Sequence, residues 1–196
     1  MKKGLIIIDM CNMDVSKRKD KNKLILNQLK LISAFKKKGY KVILAGGRGK
    51  RKHKPNPVMD KLWGNEYAPK KGNKKEKREK FLWNISIIKE LMETKPDKIV
   101  RKEAYSAFYN TDLERYCKKN KIDEMYFCGI YSGCCVYFSG VDAAYRRIQP
   151  FLVADASGST NPKQHKINIG NFETFIGPAL TTKEVLKKLR ENNNTI

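Results

Sequence analysis

Short apolar runs separated by amphipathic stretches dominate the pattern of this chain. Residues 5–8 (LIII) and 40–45 (YKVILA) are two such runs, the first ending at Asp9 and the second at a Gly-Gly pair. Runs of this length, bounded by charged or turn residues, are typical of buried strands. Between them, apolar residues recur at helical spacing over residues 20–38, and three Lys and a Gly close this stretch at 36–39. Cationic residues followed by Gly predict the end of a helix.

The same alternation continues along the rest of the chain. Further strands are predicted at residues 98–101, 125–129, 151–154 and 172–176, and further helices at residues 81–94, 112–120, 135–147 and 182–190. Strands that alternate with helices predict an α/β fold, here a three-layer α/β/α sandwich around a mostly parallel, Rossmann-like sheet of about six strands. We expect a single domain over residues 1–196. Ligands of such sheets bind at the carboxyl ends of the strands, where Asp9, Lys102 and the turn before Cys135 fall.

Residues 48–80 interrupt the alternation with a basic excursion. They contain 13 Lys and Arg against 4 Asp and Glu, and they predict a long, mostly irregular segment of the kind that is often functional. The whole chain has a net charge of +22, with 33 Lys and only 9 Arg. A solvated, Lys-rich surface is the favoured interpretation, because proteins that read nucleic acid depend more on Arg. Binding of nucleic acid or another polyanion stays open as the alternative.

Composition narrows the class of protein further. No apolar run approaches the roughly 18 residues of a membrane span, and the run at 5–8 is shorter than the apolar region of a signal peptide, so we expect a cytoplasmic protein with no membrane partner. The five cysteines are odd in number and form no C-x-x-C pair, which argues against a disulfide framework or a zinc ribbon. With two His in the chain, we expect no metal and no cofactor.

Four segments in order carry a family resemblance. They are residues 6–12 (IIIDMCN), 102–108 (KEAYSAF), 129–136 (GIYSGCCV) and 153–156 (VADA). They resemble the isochorismatase-like cysteine hydrolases, in which an apolar strand ends in DMQN, a second segment reads K-x-x-Y-S-A-F, and a turn reads G-V-x-T-x-x-C-V. The resemblance runs from residue 4 to about residue 190, and residues 48–80 are its weak part.

The resemblance implies a catalytic trio of Asp9, Lys102 and Cys135. The family nucleophile stands six residues after the Gly of the turn, which selects Cys135; Cys134 and Cys128 are interpreted as core thiols. Cys135 also opens a predicted helix, whose N-terminus stabilises a thiolate. Lys102 would supply a neighbouring positive charge, and Asp9 would hold Lys102 and relay protons.

The same turn implies an oxyanion hole. By analogy with the family, its donors would be the backbone N–H groups of Tyr131 and Cys135. The counterpart of a cis peptide that is frequent in the family is the bond between Ile130 and Tyr131. The candidates for contact with the substrate are Cys11, Arg48, Trp63, Tyr105, Phe108 and Tyr131.

The sequence defines the substrate less closely than the catalytic residues. Nicotinamidases of the family carry an Asp-x-His segment that helps to hold a metal, whereas residues 45–50 read AGGRGK. A nicotinamidase with an altered metal site is therefore only an alternative. Retention of Cys135 favours hydrolysis of a C–N bond in a small amide, ureido or carbamoyl compound, and Arg48 suits an anionic one. Relatives are often oligomers, so we expect a homo-oligomer.

Overall fold

The computed structural model describes residues 1–48, 58 and 68–191, with the side chain of Arg48 outside that description. Six strands in these ranges form one sheet: β1 (Lys2–Ile8), β2 (Lys41–Arg48), β3 (Lys98–Lys102), β4 (Ile122–Ile130), β5 (Gln149–Gly158) and β6 (Ala179–Leu180). Their order across the sheet is β3-β2-β1-β4-β5-β6, and every neighbouring pair is parallel. The predicted parallel sheet of about six strands is confirmed.

Eight helices within the described residues accompany the sheet. They are α1 (Asn12–Ser16), α2 (Lys21–Lys37), α3 (Lys74–Ile85), α4 (Lys89–Met92), α5 (Leu113–Asn120), α6 (Cys135–Tyr145), α7 (Pro162–Phe175) and α8 (Thr182–Glu191). Within the same ranges, no helix combines the length and the apolar character needed to cross a membrane.

Apolar side chains on both faces of the sheet give the three-layer arrangement. In β1, Leu5 and Ile7 pack in one core with residues of α2, α4 and α8, while Ile6 and Ile8 pack in a second core with residues of α5, α6 and α7. Side chains alternate between the two faces of a strand, so a continuous apolar run fits a strand buried on both sides. The short isoleucine run therefore becomes the centre of the molecule.

The prediction of a strand at residues 172–176 is wrong. These residues end α7, and the sixth strand is the two-residue β6 that follows. The start of α7 explains the error: the Asn161 side chain accepts a hydrogen bond of 2.8 Å from the Gln164 backbone N–H, and Pro162 occupies the first turn. Asn followed by Pro is a helix start, and it was available in the sequence.

The single helix predicted at residues 81–94 is also wrong, because the structure has two helices there. α3 begins at Lys74, inside the basic excursion, where Asn73 and Glu76 form a capping box. Between α3 and α4, the chain runs extended: the Ile88 N–H donates to the Met10 carbonyl at 2.9 Å, and Ile87 pairs with Cys11. This pairing ties the segment to the residues that follow β1, which a local helical pattern does not reveal.

Gly129 sets the close approach of β1 and β4 at their carboxyl ends. It pairs with Ile8, has φ of 114°, and a Cβ atom there would lie 2.0 Å from the Ile8 carbonyl oxygen. Only glycine fits both the backbone conformation and the space. The contact holds Asp9, the next residue of one strand, beside the 129–136 turn of the other.

We expect Gly129→Ala to lower the free energy of unfolding by about 3 kcal/mol or more, because the methyl group must displace backbone atoms. Gly170→Ala is the matched control, since it lies in α7 with no atom within 4 Å of the added methyl group; it should be neutral or stabilise by about 0.5–1 kcal/mol. Urea denaturation of both variants measures the difference. Equal stabilities would contradict the assigned contact.

Candidate active site

Three strand ends bring the predicted catalytic residues to one edge of the sheet. Asp9 follows β1, Lys102 is the last residue of β3, and Cys135 is the first residue of α6, a short turn after β4. In a parallel sheet these carboxyl ends face the same side. The Lys102 ammonium contacts both the Asp9 carboxylate and the Cys135 sulfur, so the three side chains meet around one buried positive charge.

The Lys102 ammonium is buried and fully charged. Its side chain is 1% exposed, it donates to Asp9 Oδ2, and it donates to the Tyr105 carbonyl oxygen at 2.9 Å. Burial alone would lower the pKa of Lys102, but the Asp9 carboxylate, the Cys135 sulfur and the hydrogen bonds to both outweigh it and raise the pKa. A buried charge is tolerated only when it is paired in this way.

Asp9 is held in an uncommon backbone conformation. Its φ is 50°, in the left-handed region, and its backbone N–H donates to the Ala45 carbonyl of β2 at 2.8 Å. A non-glycine residue adopts this region at some cost, and such positions cluster at functional sites. The turn directs the carboxylate to Lys102 instead of continuing the alternation of β1.

The two adjacent cysteines share a hydrogen bond between their sulfur atoms. Cys135 is 6% exposed, and Cys134 is half-buried at the N-cap of α6. The hydrogen bond with Cys134, burial and the Asp9 carboxylate raise the pKa of the Cys135 thiol, and the Lys102 ammonium opposes them. For Cys134, the hydrogen bond from the Cys135 thiol outweighs burial and, with Lys102 and the Cys135 backbone N–H, lowers the pKa.

The structure qualifies one expectation from the sequence. Cys134 is half-buried and packs against the margin of the second core, so it is a core thiol only in part. Cys135 lies deeper in the same core. Cys128, in contrast, is fully buried in β4, and burial followed by the Asp155 charge raises its pKa.

The 129–136 turn leads from the end of β4 into α6. The peptide bond between Ile130 and Tyr131 is cis. The Tyr131 carbonyl oxygen accepts hydrogen bonds from the backbone N–H groups of Cys134 at 3.0 Å and Val136 at 3.3 Å. These bonds close the turn onto the start of α6, where the positive end of the helix dipole favours negative charge.

The other predicted contact residues have different surroundings. Cys11 is buried, and burial followed by the Asp9 charge raises the pKa of its thiol to about 12, so it packs as an unreactive group. Tyr105 stacks on the half-exposed ring of Phe138 at 5.8 Å. Phe108 is a core residue beneath the Arg146 guanidinium, at the end of α6 opposite to Cys135, which corrects its assignment to the substrate.

The other two candidates and the metal site involve the end of β2 and the residues that follow it. The Arg48 side chain and Trp63 lie outside the described residues. The residues that correspond to the Asp-x-His segment of the nicotinamidases are Ala45, Gly46 and Gly47, which offer no ligating side chain. No group of three or more His, Cys, Asp or Glu in the described ranges is arranged to hold a metal ion. The residues present do not fit a metal site of that type.

A cavity of about 650 Å³ borders the turn at Tyr131. Its wall also includes the α1–α2 connection around Arg18, the β5–α7 connection around Ser159, and His165 of α7. Arg18 is held there by Asp20, with bonds of 2.8 and 2.7 Å, and by the Ser159 carbonyl at 2.8 Å. Apart from Tyr131, the residues named here belong to no motif, so nothing in the sequence pointed to this region.

The fold and this site define the class of protein. The sequence model of the isochorismatase domain matches residues 3–184, and the chain therefore belongs to the isochorismatase domain family. In structure it is similar to a cysteine hydrolase from Pseudomonas syringae pv. phaseolicola, with a TM-score of 0.79 and 20% identity over 97% of this chain and 93% of that chain. At this identity, the likeness shows the fold alone.

Two curated relatives place the chain within the family. Ureidoacrylate amidohydrolase RutB of Acinetobacter baylyi is 26% identical over 203 residues, which cover 94% of this chain and 77% of the relative. Phenazine biosynthesis protein PhzD1 of Pseudomonas aeruginosa is 34% identical over 101 residues, which cover 52% of this chain and 49% of the relative. The chain thus spans about half the length of PhzD1 in that match.

We expect Lys102→Met to slow alkylation of Cys135 by iodoacetamide about 10-fold at neutral pH, because it removes the charge that lowers the thiol pKa. The matched control is Lys3→Met, which breaks another buried ion pair, with Glu124 at 2.6 Å, at the opposite end of β1. Both variants should lose about 3 kcal/mol of stability. Mass spectrometry of the labelled peptide follows the rate, and slowing in both variants to the same extent would contradict a role specific to Lys102.

Proposed function

We propose that the protein is a cysteine-dependent hydrolase that cleaves a C–N bond of a small amide, ureido or carbamoyl compound through a thioester. The main support for the proposal is that the side chains of Asp9 and Cys135 both contact the buried ammonium of Lys102. An ordinary structural ion pair has no need of a thiol in contact with it. A thiol, a base and a fixed positive charge are the groups that covalent catalysis requires.

The first half of the reaction forms the thioester. The Cys135 sulfur attacks the carbonyl carbon while its proton passes to the Asp9 carboxylate, and the carbonyl oxygen becomes an oxyanion. When the tetrahedral intermediate collapses, the C–N bond breaks and the leaving nitrogen takes the proton from Asp9. Ammonia or an amine leaves, and the acyl group stays on Cys135.

The second half returns the enzyme to its starting state. A water molecule attacks the thioester carbon and gives one proton to Asp9. Collapse of the second tetrahedral intermediate breaks the C–S bond, and the sulfur recovers its proton. Lys102 remains charged throughout and stabilises each transient negative charge on sulfur, which its raised pKa permits.

The oxyanion in both halves would be bound at the 129–136 turn. The candidate donors are the backbone N–H groups of Tyr131 and Cys135. The position of Cys135 as the first residue of α6, at the positive end of the helix dipole, supports the view that this turn stabilises negative charge.

Similarity to RutB supports the choice of bond. The name of that relative describes an amidohydrolase that acts on a ureido compound, and its match covers 94% of this chain. Loss of the family's metal-binding segment, noted above, argues against nicotinamide as the substrate. Small amides, ureides and carbamates are therefore the compounds to test first.

We expect ammonia release from at least one compound in a panel of amides, ureides and carbamates. Cys135→Ala should abolish it, by about 10³-fold or more, because it removes the nucleophile. Cys134→Ala is the matched control and should keep most of the activity. A coupled ammonia assay measures both variants. Activity that survives in Cys135→Ala but not in Cys134→Ala would refute the assignment of the nucleophile.

A further inference from the structure

A closed network of hydrogen bonds holds Ser132, the residue that follows Tyr131 in the turn. Ser132 is fully buried, and its backbone N–H donates to the Gly158 carbonyl at the end of β5, at 2.8 Å. Its hydroxyl oxygen lies 2.9 Å from His165 Nδ1 and 3.2 Å from the amide nitrogen of Asn168. Both partners project from α7. The turn is thus fastened to a strand and a helix on either side of it.

The chemistry of the partners fixes the direction of each hydrogen bond. His165 Nε2 lies 3.1 Å from the Ala154 carbonyl oxygen, which can only accept, so Nε2 carries the proton. Nδ1 of the neutral ring is then an acceptor, and the Ser132 hydroxyl must donate to it. Burial, partly opposed by the bond to Ala154, lowers the pKa of His165, which keeps the ring neutral at neutral pH.

Asn168 completes the network from the same helix. Its side-chain oxygen accepts from Gln164 Nε2 at 2.9 Å, which orients its amide nitrogen towards the hydroxyl groups of Ser132 and Ser159, each at 3.2 Å. The next residue of the turn, Gly133, lies against the same amide: a Cβ atom there would be 2.4 Å from it. The turn is therefore held by several mutually dependent hydrogen bonds to α7.

We propose that Ser132 and His165 are positioning residues that aim the Tyr131 and Cys135 backbone N–H groups at the oxyanion. The hydrogen bonds described for these two side chains do not involve Asp9, Lys102 or Cys135, and the inference rests on the proposed function. These bonds run from the turn to β5 and α7. Donors in an oxyanion hole act only at a short, preset distance from the developing charge, so a loosened turn loses rate without losing the nucleophile.

Two reactions at Cys135 distinguish this role from a general structural one. Iodoacetamide alkylates the thiolate by displacement at a saturated carbon and forms no oxyanion. Acylation by p-nitrophenyl acetate passes through a tetrahedral oxyanion and releases p-nitrophenolate. The ratio of the acylation rate to the alkylation rate, each corrected by the rate in Cys135→Ala, measures the contribution of the oxyanion donors and needs no knowledge of the natural substrate.

We expect Ser132→Ala and His165→Ala to lower this ratio roughly 10- to 100-fold with the alkylation rate little changed. Ser132→Thr, which keeps the hydroxyl, and His165→Asn, which keeps an acceptor near the Nδ1 position, should restore most of it. Lys166→Ala, an exposed neighbour of His165 on α7, is the control and should leave the ratio unchanged.

The results of these measurements test the positioning role and the proposed function separately. If Ser132→Ala does not fold, the pair His165→Ala and His165→Asn still tests the network. An unchanged ratio in the alanine variants, or an equal fall of both rates, would overturn the positioning role while leaving Cys135 as the nucleophile. Rates that do not depend on Cys135 at all would overturn the proposed function instead, and the positioning role with it.

Discussion

The buried ammonium of Lys102 is the constraint on which the rest of the site depends. A charge with 1% of its side chain exposed has to be compensated by the surrounding protein, and the compensation comes from Asp9, the Tyr105 carbonyl and Cys135. No two of these groups are supplied by the same strand. A parallel sheet is what makes the meeting feasible, because it delivers several strand ends to one edge.

The two adjacent cysteines differ in their surroundings. Cys134 is half-buried at the N-cap of α6, while Cys135 lies deeper and contacts the Lys102 ammonium. In the proposed reaction, proton transfer to Asp9 during attack would activate the Cys135 sulfur only when a carbonyl group is present. The helix start beneath both residues stabilises whichever sulfur is charged.

Much of this arrangement could be predicted from the sequence, and the exceptions have physical causes. The apolar runs predicted the sheet, because buried parallel strands have a strong local pattern, and the order of the motifs predicted that Asp9, Lys102 and Cys135 meet. The two-residue β6 could not be predicted, since its pairing with β5 is decided by tertiary contacts. The Asn161 and Asn73 caps are local signals that the sequence contains.

The hydrogen-bond network around His165 could not be predicted from the sequence. Ser132 and His165 are 33 residues apart, and only the folded structure shows that their side chains meet. The different burial of the adjacent residues Cys134 and Cys135 likewise depends on the surrounding core. A homo-oligomeric state, an anionic substrate, a cytoplasmic location and the polyanion-binding alternative stay predictions from composition and resemblance.

The central claim is that Cys135, and not its neighbour, becomes covalently acylated. Rapid mixing with p-nitrophenyl acetate, an acid quench and fragmentation of the peptide that carries both cysteines would locate the acyl group. The account predicts the acyl group on Cys135 in the earliest samples, with Lys102→Met slowing its appearance about 10-fold. An acyl group found first on Cys134 would contradict it.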